Sequence, residues 1–265
     1  MIKYIHIKKE EVKRMINKES NVFSKNYEVN YYDVDRNLKC KLSSIVNFLC
    51  DVGNAQSEFL GETIDCLMKE NCAWVFYKYD IKVKRYPKYR DVITVSTAAS
   101  GFNRFYAYRG YEITDKDGNI LVEATALFFL IDIQKRRPMR ISEDKMKLYS
   151  GGVTLPKKID MDEARDIEQE DYFKEFNIRY SDIDSNGHVN NVKYMEWAIE
   201  SVPIEIIKDY ELNSIKVTFE KETVYGESVH VSAQIIKKGE EITTVHVVKS
   251  TEGKVLTKIE IDWIK

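Results

Sequence analysis

Ser181-Asp182-Ile183-Asp184-Ser185-Asn186-Gly187-His188-Val189-Asn190-Asn191 is the stretch on which the fold turns, because its pattern occurs twice in the chain. It overlies Tyr32-Asp33-Val34-Asp35-Arg36-Asn37 at an offset of 149 positions, and the register runs on without a gap for the next fifteen. Phe48 falls on Trp197, Leu49 on Ala198, Cys50 on Ile199 and Asp51 on Glu200, so the apolar pattern repeats with the polar one. Duplication of a domain explains this better than chance. Tyr89 to Val95 then aligns with Tyr225 to Val231 at an offset of 136, leaving 13 additional residues in the first half. They are expected around Gly61 to Cys72, where Thr63 to Glu70 reads as an added helical turn or a longer central helix.

Val189, Val192, Met195, Ile199 and Val202 recur at steps of three and four, which predicts a buried helical stripe ending before Pro203. Leu42, Ile45, Leu49 and Val52 form the matching stripe. Ile81 to Lys84, Val92 to Val95, Phe105 to Ile113, Leu121 to Ile133, Val229 to Ile236 and Thr243 to Val248 alternate as strands, with Asp117-Gly118 and Glu252-Gly253 as hairpin turns. One strand, one long helix and an antiparallel meander is the order of a hotdog domain. The expected fold is α+β, two tandem hotdogs, each an antiparallel sheet wrapped around a central helix. The expected division is 1–149, a linker over 150–171 and 172–265. Ser150-Gly151-Gly152 to Pro156 and the acidic run Asp160 to Asp171 read as an exposed crossing. The two sheets are expected to pair as a pseudo-dimer, because one hotdog leaves an edge in need of a partner.

With 43% hydrophobic and 32% charged residues, 265 residues can bury an ordinary core. Lys and Arg (41) nearly balance Asp and Glu (43), which removes the electrostatic footprint of a nucleic-acid binder. Apolar runs such as Ala124 to Ile131 are too short to span a bilayer, and Met1-Ile2-Lys3-Tyr4 opens no secretory segment, so a cytoplasmic location without membrane association is expected. Cys40, Cys50, Cys66 and Cys72 include no Cys-x-x-Cys pair and read as reduced packing residues. The four histidines, His6, His188, His230 and His246, form no zinc pattern. Neither metal nor cofactor is expected.

Asp182-x-Asp184-x-Asn186-Gly187 matches the opening of a calcium-binding loop, but the twelfth position holds Lys193 where a bidentate glutamate is required, and Tyr172 to Tyr180 alternates as a strand. Two readings stay open. Asp184 and Asn186 could cap the following helix. Alternatively, Asp184, Asn186 and His188 gather where free amides and the positive helix end favour a developing oxyanion.

Asp184-Ser185-Asn186-Gly187-His188-Val189-Asn190-Asn191-Val192-Lys193-Tyr194-x-x-Trp197-x-x-Glu200 closely resembles the acyl-acyl carrier protein thioesterases of plants and bacteria. So do Tyr31 to Asp35, Phe105 to Arg109 and Arg136-Arg137-Pro138, and the resemblance spans almost the whole chain. It implies hydrolysis of a fatty acyl thioester by Asp184, Asn186 and His188, joined by Glu222. Plant members carry a cysteine after that glutamate. Here Thr223 stands there, and no cysteine follows Cys72, so water must attack. Glu222 is expected as general base, with His188 linked to it or protonating the thiolate. Asn186 would position water or the carbonyl and Asp184 would hold the loop, though Asp184 remains a competitor for the base. In the duplicate, His188 maps to Lys39 and Glu222 to Tyr86, while Asp184 and Asn186 map to Asp35 and Asn37, so one active site per chain is expected.

The resemblance places an acyl tunnel in the first half, with Phe48, Leu49, Val52, Trp74, Phe76 and Phe102 as walls, although apolar residues on a helix are more often core. The implied partner is an acidic acyl carrier protein bearing the acyl phosphopantetheine. Lys84, Arg85, Lys135, Arg136 and Arg137, with Lys82, Lys88 and Arg90 nearby, are its expected docking face. A homodimer of the whole chain stays open. The rivals are an acyl-CoA thioesterase and a non-catalytic acyl-thioester sensor; the dehydratase pattern Asp-x-Asn-Pro-x-His is absent.

Overall fold

In the computed structural model of the protein, residues 20–265 are described; Met1 to Tyr4 and His6 lie outside them. The first half contains β1 (Phe23–Glu28), α1 (Leu42–Phe59), α2 (Ile64–Lys69), β2 (Cys72–Val83), β3 (Val92–Phe102), β4 (Tyr106–Thr114), β5 (Ile120–Asp132), β6 (Arg137–Pro138) and α3 (Glu143–Ser150). The second contains β7 (Tyr172–Asn177), α4 (Asn191–Glu200), α5 (Ile204–Asp209), β8 (Glu211–Phe219), β9 (Ser228–Lys238), β10 (Glu241–Ser250) and β11 (Val255–Ile264). The strands order alike in both halves, β1-β3-β4-β5-β2 and β7-β9-β10-β11-β8. β2 pairs antiparallel with β8 from Lys78 opposite Thr218 to Lys82 opposite Ser214, so one continuous sheet results and the inner edges are satisfied by each other. Both predicted hairpin turns form, with Gly118 at φ +79° and Gly253 at φ +80°, a conformation that costs glycine no Cβ clash.

The helical stripes explain why α1 and α4 lie on one face of this sheet. Ile45, Leu49 and Val52 are fully buried from α1, Val192, Met195 and Ala198 are buried from α4, and all six share one core. Val189 and Val202 belong to the same core but flank α4 rather than sit in it. α1 has 18 residues where α4 has 10. The 13 additional residues therefore mainly lengthen α1 rather than add a turn at Gly61 to Cys72, since α2 has its own counterpart in α5. No helix among the described residues is long and apolar enough to cross a membrane.

The linker is more tightly held than its composition suggests. Residues 151–171 form no helix or strand and are mostly exposed, as expected, but they are tethered to the sheet. Glu163 pairs with Lys78 (2.6 Å), Asp162 with Lys216 (3.5 Å), Asp166 with Lys258 (2.5 Å) and Arg165 with Glu260 (2.9 Å). Lys216 and Lys258 alternate with the core residues Ile215, Val217 and Ile259, so they point away from the helices. The acidic run is thus a strap across the outer sheet face, held by a network where single surface pairs would contribute little. The four cysteines are free, as expected, but Cys66 is exposed and does not serve packing.

His246 on β10 is fully buried, its Nε2 lies 2.9 Å from the Thr244 hydroxyl, and Trp263 Nε1 donates to the same oxygen at 2.9 Å. Burial pushes its pKa down from 6.5 to about 3. The unfolded chain then takes the proton first, so stability is complete above pH 6.5 and is lost as the pH falls toward 3. Between pH 6.5 and 5 the loss is expected to be about 2 kcal/mol. Melting temperatures of wild type and His246→Leu over that range check this: the variant should show a flatter slope, and an unchanged slope would place the titration elsewhere.

Candidate active site

The signature loop is built before the helix begins. Asp184 N–H donates to the His188 carbonyl (2.8 Å), Gly187 N–H to the Asp184 carbonyl (3.1 Å), and Ile183 bridges Val189. Closing so tight a loop requires a left-handed residue, supplied by Gly187 at φ +78°. Asp184 Oδ1 accepts the amides of Asn186 (2.8 Å) and His188 (3.2 Å), and Asn186 Nδ2 donates to its Oδ2 (3.3 Å). The helix cap is Asn190, whose side chain accepts from Val192 N–H at 3.0 Å. Asp184 and Asn186 therefore do not cap α4. His188 stands three residues before its first turn, so the positive helix end acts less directly on this cluster than the sequence suggests.

The first half repeats the loop nearly atom for atom. Asp35 Oδ1 accepts the amides of Asn37 (2.8 Å) and Lys39 (3.0 Å), Val34 bridges Cys40, and Leu38 takes the place of Gly187 at φ +60°. Only the chemistry differs. Lys39 pairs with Glu211, and Tyr86 donates its hydroxyl to the Leu212 carbonyl at 2.8 Å. In the second half Val189 N–H donates to the Thr223 carbonyl (2.9 Å), which draws the segment after β8 onto the loop, and His188 Nε2 comes within 3.3 Å of Glu222 Oε1. Both side chains remain partly open to solvent, 30% for His188 and 45% for Glu222. A basic carboxylate beside an imidazole, with room for water, can carry out general acid-base chemistry.

Arg136 was expected on a docking face, but its guanidinium pairs with Glu222 Oε1. The docking set as a whole does not form one patch. Lys84 and Arg85 bond to the Leu121 carbonyl near the start of β5, whereas Lys135 to Arg137 follow its end. The 13 residues of β5, roughly 40 Å at about 3.3 Å each, separate them. Lys84 also pairs with Glu123, Arg85 with Asp115 and Lys135 with Asp132; Arg137 makes no ion pair among the described residues. The expected tunnel walls separate too. Leu49 and Val52 are core, with Phe48 and Phe76 packed against them. Trp74 and Phe102 belong to a second cluster with Cys72, Leu130, Ile141 and Tyr149. Open hollows of about 330 and 360 Å³ lie along the linker strap, lined by residues such as Lys78 and Lys158, or Asp166 and Lys258, and contain none of these walls. Among the described residues no group of three or more His, Cys, Asp or Glu is placed to hold a metal.

Two helices wrapped by one duplicated sheet, with a histidine–glutamate pair in the second unit only, define a tandem hotdog protein. The chain belongs to the acyl-ACP thioesterase family: the family's N-terminal domain matches residues 20–149 and its C-terminal domain residues 165–265. It is 27% identical over 215 residues to the chloroplastic palmitoyl-acyl carrier protein thioesterase of Gossypium hirsutum, covering 76% of this chain and 52% of that one. The chain thus spans about half the length of that curated relative. A Lactobacillus plantarum crystal structure provisionally assigned as an oleoyl thioesterase superposes with a TM-score of 0.89 and 25% identity, covering 94% of this chain and 98% of that one. The 12:0-ACP thioesterase of Umbellularia californica follows at 0.79 and 21%, covering 91% and 96%, and supports the fold.

Proposed function

We propose that the protein hydrolyses fatty acyl-acyl carrier protein thioesters to free fatty acid and carrier thiol, ending chain extension on that carrier. The observation that carries this reading is the His188–Glu222 contact of 3.3 Å, present in one half of a duplicated scaffold and replaced by Lys39 and Tyr86 in the other. A protein that only bound the thioester would need no such pair. Glu222 takes a proton from water as its oxygen attacks the thioester carbonyl, the tetrahedral intermediate collapses with cleavage of the C–S bond, and His188 delivers a proton to the departing thiolate. Asn186 positions the water or carbonyl oxygen. Asp184 holds the loop, because its oxygens are engaged by the loop's own donors, as Oδ1 of Asp35 is where no His–Glu pair exists. Lys135 and Arg137 stand on the docking side nearest this pair; Lys84 and Arg85 are too distant to share the role. Trp74 and Phe102 are the better wall candidates, since Leu49 and Val52 are committed to the core.

Family membership favours the carrier protein over coenzyme A. Purified protein should release free acid from saturated acyl-carrier thioesters, faster than from the matched CoA thioesters, with a chelator present throughout. Activity abolished by the chelator and restored by a divalent ion would refute the mechanism, and equal or higher turnover on CoA thioesters would refute the carrier assignment.

A further inference from the structure

The Glu222 carboxylate is gripped from both halves of the molecule. His188 approaches Oε1 from its own half, and Arg136 reaches the same oxygen from the turn between β5 and β6 of the other half. Among the described residues these are the only ionisable groups that pair with Glu222. The turn that delivers Arg136 is itself fixed. Asp132 Oδ1 accepts the Lys135 amide (2.8 Å) and the Asn71 side chain (2.9 Å), the backbones of Asp132 and Arg137 stand opposite each other in the β5–β6 hairpin, and Arg136 is held at φ +49°. A non-glycine residue in that region is maintained by its surroundings. The degenerate loop lacks this arrangement: Lys39 there meets Glu211, at the start of β8.

We infer that Arg136 is a positioning residue for the reaction: supplied by the half that lacks the His–Glu pair, it fixes the Glu222 carboxylate, through Oε1, in the orientation that takes the proton from water. The inference rests on Glu222 being the base proposed above. An exposed pair of this kind contributes little to stability, and Arg136 is 70% exposed. Its consequence is therefore catalytic: misplacement of a catalytic group by about 1 Å can cost roughly 10²-fold. The role also explains why a catalytic site confined to the second half should depend on the first.

The test compares Arg136→Ala, Arg136→Lys and Glu222→Gln in the full chain, on an acyl-carrier thioester and on an acyl-pantetheine thioester that lacks the carrier protein. Arg136→Ala should lower kcat by roughly 10- to 100-fold on both substrates with KM nearly unchanged. Arg136→Lys should recover part of the rate, and Arg136→Ala combined with Glu222→Gln should be no slower than Glu222→Gln alone. A loss confined to KM for the carrier substrate, with pantetheine turnover intact, would make Arg136 a docking residue and overturn the inference. An unmoved kcat would overturn it as well. Should Glu222→Gln itself stay active, the base assignment fails and the inference with it, an outcome recognised by which variant retains turnover.

Discussion

Glu222→Gln and His188→Ala are each expected to lower kcat by roughly two to four orders of magnitude while the protein stays folded. Both side chains are partly exposed, and neither is part of the core, so their loss should move the melting temperature little. Asp184→Asn should behave otherwise. Asparagine keeps an acceptor for the amides of Asn186 and His188, so the loop should persist and turnover should fall far less than with Glu222→Gln. Single-turnover hydrolysis with a thermal melt of each variant separates lost chemistry from lost fold. A dead, folded Asp184→Asn beside an active Glu222→Gln would transfer the base to Asp184. Lys39→Ala and Tyr86→Phe, at the duplicate positions, should change stability or binding more than the chemical step.

Leu49→Ala is expected to destabilise the protein by about 2–5 kcal/mol, the range for emptying a close-packed leucine site. Leu49 is fully buried on α1 within the shared core, so no exposed surface or substrate has to be invoked. For a chain of this length each kcal/mol corresponds to about 2–4 °C in melting temperature, giving a drop of roughly 4–20 °C. Trp74→Ala and Phe102→Ala, in the second cluster, should instead change relative rates across a series of acyl chain lengths. Leu49→Ala with an unaltered melt but a shifted chain-length profile would restore it to the tunnel wall and show that the two clusters are one pocket.

The parts of this protein legible in the sequence are those encoded by local periodicity and by repetition. Steps of three and four placed Leu49 and Met195 on buried helical faces, alternation placed the strands, and the 149-residue repeat showed that His188 and Glu222 have no counterparts in the first half. A helix or strand announces its face within a few residues, so such readings need no knowledge of distant partners. What the sequence left open depends on contacts between remote segments. The acidic run over 160–171 has the composition of an exposed linker, and becomes a strap only because the outward lysines of β2, β8 and β11 lie beneath it. Asp184 and Asn186 look like helix caps until the Ile183–Val189 bridge shows a loop closed before α4 begins. Lys84 and Arg136 both belong to basic runs, yet stand at opposite ends of β5. Arg136 and Glu222 are 86 residues apart with no common periodicity, and they meet because the pairing of β2 with β8 brings the end of the first sheet beside the loop of the second. Which half carries the His–Glu pair was fixed by residue identity; which residue of the other half reaches it was decided by that register.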